Sequence, residues 1–87
     1  MSRQRPMETI ERAAYVSIGE LVRLTGCRYS TLKFYTEEGL LPFEQAEENL
    51  TRRFPREESL IRIAEIQALK AQGLRIPAIK AHFAKSP

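Results

Sequence analysis

At 87 residues, with 43% hydrophobic and 29% charged side chains, the chain has room for one small domain around a single core. No apolar run approaches the roughly 18–20 residues that span a bilayer, and the opening MSRQRPMETIERAA lacks the apolar region of a secretory signal, so a cytoplasmic protein without membrane partners is expected. The net charge of +3 fits a nucleic-acid partner and equally a solvated helix face; after residue 54 six basic residues stand against three acidic ones.

Residues 1–14 read as a flexible polar and basic tail, in which Arg3 and Arg5 are candidates for a minor-groove arm. In YVSIGELVRLTG, Ser17 and Glu20 have capping-box spacing, so a helix of about eight residues starts there. Ile18, Leu21, Val22 and Leu24 make its apolar face, and Gly26 stands where it ends. A second short helix starts at Ser30 or just before it, with Leu32 and Tyr35 at i, i+3 and Phe34 beside them. Gly39 closes it and Pro42 prevents continuation, which makes a helix-turn-helix pattern.

FEQAEENLTRRF has no helical stripe and reads as a two-stranded hairpin, or wing, turning near Asn49. A longer helix follows Pro55, with Glu57 and Glu58 in its first turn and Leu60, Ile61, Ala64, Ala68 and Leu69 at helical spacing. Gly73 ends it. A last helix near Pro77 carries Ile76, Ile79 and Phe83 at i, i+3, i+7. The fold class expected is mainly α: a winged helix-turn-helix of about four helices with a short two-stranded β wing, over residues 15–87.

Catalysis finds little support. The chain contains no Asp, its single His82 and single Cys27 are far apart in sequence, and its four glycines form no phosphate-binding fingerprint. One cysteine makes no intrachain disulfide and no zinc site, so Cys27 reads as a small buried hydrophobe, and neither a metal nor a cofactor is expected.

The segments VSIGELVRLTG, STLKFYTEEGLLP, NLTRRF and LKAQGLRIPAIKAHF together resemble the DNA-binding domain of the MerR family of bacterial regulators, over roughly residues 15–84. The resemblance implies a duplex-DNA partner, with the second helix in the major groove and the wing along the backbone. Where the family has Thr-Leu-Arg-Tyr-Tyr-Glu, this chain has Thr31, Leu32, Lys33, Phe34, Tyr35 and Thr36. Lys33 keeps a cation but loses the planar fork of arginine. Where the wing pattern is Gly-Tyr-Arg-x-Tyr, this chain has Leu50, Thr51, Arg52, Arg53 and Phe54, so that Arg52 falls on the phosphate-contacting arginine.

Arg28 stands where the family places a Ser or Thr cap, and it is a candidate for reaching the DNA backbone. The expected DNA-binding set is thus Arg28, Ser30, Thr31, Lys33, Tyr35, Thr51, Arg52 and Arg53, with Leu32 and Phe34 packing inward and Glu37 and Glu38 at the far end. Acids at Glu44, Glu47 and Glu48 repel phosphate wherever they face it. Full-length relatives continue into a dimerisation helix and an effector-binding region, whereas this sequence stops at AHFAKSP, so no small-molecule effector is expected in it. The leading expectation is a sequence-specific transcriptional regulator of bacterial or mobile-element origin, nucleoid-associated, acting as a dimer, as a cooperative array or beside another DNA-bound protein. Excisionase-like accessory proteins and protein-interaction modules on the same fold are the alternatives.

Overall fold

Ser17 and Glu20 form the capping box their spacing predicts. The Glu20 N–H donates to Ser17 Oγ at 3.1 Å, and the Ser17 N–H donates to Glu20 Oε1 at 2.9 Å. In the computed structural model, which describes residues 4–47 and 51–84, this box starts a helix at Ile18–Thr25. Gly26 ends it in the left-handed conformation, φ 74°, which a residue with a Cβ adopts only under strain.

The chain runs α1 (Met7–Arg12), β1 (Tyr15–Val16), α2 (Ile18–Thr25), α3 (Tyr29–Glu37), β2 (Phe54–Pro55), α4 (Arg56–Ala71) and α5 (Ile76–Ala84). The fold class is mainly helical as expected, with α1 as an additional helix. β1 and β2 pair antiparallel, Tyr15 opposite Pro55 and Val16 opposite Phe54, so the end of the wing is stitched to the residues that lead into α2. This links the wing to the helix-turn-helix, α2 and α3, through backbone hydrogen bonds.

One core joins the elements. Ile10 of α1, Val16, Leu21 of α2, Leu32 and Tyr35 of α3, Phe54 of β2, Ile63 and Ile66 of α4 and Ile79 of α5 are all buried, with Leu40 and Leu41 after α3. Leu32 sits at the centre of the helix-turn-helix, and its carbonyl accepts from the buried Thr36 hydroxyl at 2.8 Å, satisfying that polar group within its own helix. Cys27 is half-buried against the core and accepts a hydrogen bond from Gln67 Nε2 at 3.0 Å.

Two expectations are corrected. The first fourteen residues are not simply a tail: α1 lies within them and its Ile10 is fully buried. Six residues do not hold a helix alone; α1 is held by Ile10 and by Arg5, whose Nε and Nη2 each donate to the Glu20 carboxylate at 2.7 Å. Arg5 also donates to the Tyr15 carbonyl, and its own carbonyl accepts from Arg23, so it is an anchor and not a free groove-seeking arm. Arg3 lies outside the described residues.

The second correction concerns α4. Its buried stripe is Ser59, Ile63 and Ile66, flanked by the half-buried Leu60 and Leu69, while Ala64 and Ala68 are exposed and Ile61 is 62% exposed. Apolar residues on several faces of this helix permit more than one inward stripe, and packing against α2 and α5 selects among them.

The Arg5 contact has a pH consequence. Arg5 donating to Glu20, aided by the Ser17 N–H, holds the Glu20 pKa at about 2, below its ordinary 4.5. A depressed carboxylate pKa contributes stability above its unfolded value and loses it on acidification through the folded value. The thermal midpoint of the wild type is expected to fall more steeply than that of Glu20→Gln between pH 4.5 and 2. Parallel midpoint curves for the two proteins contradict this role.

Candidate nucleic-acid interface

α3 begins at Tyr29 after Arg28, which occupies the N-cap position without giving a side-chain hydrogen bond. The first turn therefore lacks the oxygen cap that would neutralise its N–H groups, and its positive end is left open. At 3.6 residues per turn, Tyr29, Lys33, Glu37, Ser30 and Phe34 follow one another around roughly 140° of the helix, with Glu37 at its C-terminal end, and all five are exposed. Tyr29 and Phe34, 55% and 43% exposed, bracket this arc. Leu32, Tyr35 and Thr36 form the buried side.

Tyr35 and Phe34 thus exchange their expected places. Tyr35 is 2% exposed, its hydroxyl accepts from Lys70 Nζ at 3.4 Å, and it belongs to the core instead of to a DNA-facing surface. Helical phase is the reason: Tyr35 follows Leu32 by three residues and shares its inward stripe, whereas Phe34 does not.

The wing closes through one antiparallel bridge, in which Glu44 and Arg53 exchange both backbone hydrogen bonds at 2.7 and 2.8 Å. The expected turn at Glu48, Asn49 and Leu50 lies outside the described residues. Along the returning chain Arg52 and Arg53 point to opposite sides, as alternate residues of an extended segment do. The Arg52 guanidinium lies 4.8 Å from the Phe43 ring centre, and that of Arg53 lies 4.7 Å from the ring centre of Tyr15. Each cation is steadied by an aromatic face while remaining at least partly open to solvent.

α3 and the wing enclose a shallow groove lined by Tyr29, Lys33, Gln45, Thr51 and Arg52, together with Ile18 and Phe54. Three residues expected from the sequence, Lys33, Thr51 and Arg52, meet here. Arg28, Ser30 and Arg53 are exposed outside it, and Thr31 is half-buried on α3. Tyr29 and Gln45 are additional. The signal for Tyr29 is its position four residues before Lys33, which sets both on one stripe of the helix.

No acid lines this groove among the described residues. Glu44, expected to oppose phosphate, is engaged elsewhere: its carboxylate accepts from the Tyr15 hydroxyl at 2.6 Å, on the Arg53 side of the wing. That hydrogen bond raises the Tyr15 pKa above its ordinary 10.0. The groove presents two cations, a threonine hydroxyl, a glutamine and a phenol, a set suited to a polyanion carrying hydrogen-bonding groups. Among the described residues no three His, Cys, Asp or Glu side chains form a metal-binding cluster, and no helix is long and apolar enough to cross a membrane.

The model of the MerR HTH family of regulatory proteins matches residues 16–86. The chain belongs to the MerR family. The match starts in β1 and takes in α2, α3, the wing, α4 and α5, so the groove lies within the MerR unit while α1 precedes it. Comparisons with curated proteins and with solved structures yield no match. Within the matched segment Leu32 and Tyr35 face the core, while Lys33 of α3 and Arg52 of the wing line one groove.

Proposed function

We propose that this MerR-family domain binds duplex DNA sequence-specifically, as a bacterial or mobile-element transcriptional regulator in the cytoplasm, with α3 in the major groove and the wing along the phosphate backbone. The observation that carries the reading is the convergence of Lys33, Thr51 and Arg52 on one groove without an acid. A B-DNA major groove about 12 Å wide admits a helix, and the open N-terminus of α3 favours phosphate by its dipole. In this arrangement Lys33 and Arg52 neutralise phosphates on the two sides of the groove, Thr51 donates its hydroxyl to the backbone, and Arg28 reaches a phosphate beside the start of α3. Release of condensed counterions then supplies most of the affinity, while the exposed arc of α3 meets base edges.

Selection of duplexes from a random library by the full chain tests this reading. One enriched motif is expected, with log affinity falling against log salt by about 0.9 per phosphate neutralised. A palindromic motif identifies a pair of copies, and tandem half-sites identify an array. Salt-sensitive binding without an enriched motif replaces the regulator by an architectural role, and failure to bind any duplex at low salt contradicts DNA recognition altogether.

A further inference from the structure

Tyr29 is the least buried aromatic residue among the described ones, at 55% exposure, and it opens α3. Its side chain takes no part in any hydrogen bond, ring contact or ion pair within the described residues, unlike those of Tyr15 and Tyr35, whose hydroxyls are both engaged. The folded domain gains little from a tyrosine held in this way. Its ring lines the groove with Lys33 one turn along the helix and Arg52 across from it, so two cations draw a phosphate backbone toward the site that the ring occupies. In helix-turn-helix proteins the N-terminal residues of the second helix are those that meet base edges.

We infer that Tyr29 is a specificity-determining residue whose ring packs on the C5-methyl group of a thymine in the major groove. This rests on the proposed binding of duplex DNA and adds to it the chemical feature that is read. Among the unmodified bases only thymine presents an apolar group on its major-groove edge. An exposed aromatic face there gains by covering a methyl group and loses against a bare pyrimidine edge. The phenol hydroxyl, on the far side of the ring, is free to remain hydrated or to meet a phosphate.

The test uses the full chain and the duplex that the wild-type protein selects. Each thymine is replaced in turn by deoxyuridine, which removes the methyl group and leaves every hydrogen-bonding group in place, and affinity is read by fluorescence anisotropy. One position per bound domain is expected to lose about fourfold, the factor that corresponds to covering one methyl-sized group. Tyr29→Phe retains this sensitivity, and Tyr29→Ala abolishes it while keeping the wild-type thermal midpoint. The inference is overturned if the selected motif holds no methyl-sensitive thymine, or if Tyr29→Ala shows the same sensitivity as the wild type. These results leave duplex binding standing; a wild-type chain that binds no duplex removes both.

Discussion

Tyr35→Ala is expected to destabilise the domain by about 3–5 kcal/mol, the cost of deleting a buried aromatic ring, whereas Phe34→Ala, one residue away, costs no more than about 1 kcal/mol. Tyr35 is 2% exposed and Phe34 43% exposed. For 87 residues the net stability is roughly 4–13 kcal/mol, so the Tyr35 variant loses a large share of it. Its thermal midpoint falls by roughly 12–40 °C, on the scale of 4–8 °C per kcal/mol for a domain of this size. Removal of the ring also leaves the Lys70 ammonium without the hydroxyl and the aromatic face beside it. Thermal unfolding of both variants, followed by circular dichroism, checks the pair. Equal effects at the two positions contradict the phase of α3.

The second large effect concerns binding. Lys33→Ala and Arg52→Ala are each expected to weaken duplex affinity roughly tenfold or more, as loss of a charge-assisted hydrogen bond does, and each lowers the steepness of the salt dependence by about one. The loss extends across all duplex sequences, because phosphate contacts position the protein without reading bases. Arg53→Ala serves as the internal comparison. Its guanidinium lies over Tyr15 and outside the groove that Lys33 and Arg52 share, and its removal costs less than either. Anisotropy titrations of the three variants across a salt series measure these differences; an Arg53 effect larger than that of Arg52 reverses the assignment of the wing's faces.

The legible parts of the fold were those written in local chemistry. Ser17 and Glu20 specify the start of α2, and Gly26 its end, because a capping box and a left-handed residue act within a few positions of themselves. The helix-turn-helix, the longer α4 and the final α5 follow from periodicity. α1 was hidden because a six-residue helix with one deeply buried residue, Ile10, has no periodic signature, and its anchor is the pair between Arg5 and Glu20, fifteen residues apart. The pairing of β1 with β2 joins residues some forty positions apart and depends on tertiary structure that no local pattern announces.

At the candidate site, chemistry was more legible than orientation. Lys33, Thr51 and Arg52 were recognisable as residue types and converge on one groove. Tyr35 sits in a segment that resembles a DNA-binding motif, yet its three-residue spacing from Leu32 turns it inward, where it is buried. Tyr29 carries no signal of its own in the sequence, because a residue at a helix start belongs to no stripe until Lys33 is counted with it. Acidic residues in the wing looked adverse from composition, yet Glu44 spends its carboxylate on Tyr15.

The central claim is that α3 enters the major groove, and methylation protection of the selected duplex tests it most directly. Dimethyl sulfate reaches guanine N7 in the major groove and adenine N3 in the minor groove. A helix seated as proposed shields guanine N7 within the motif, with adenine N3 there remaining reactive, and Lys33→Ala weakens that shielding only in proportion to its lower occupancy. Protection confined to adenine N3, or full reactivity of every guanine N7 at saturating protein, contradicts the placement of α3.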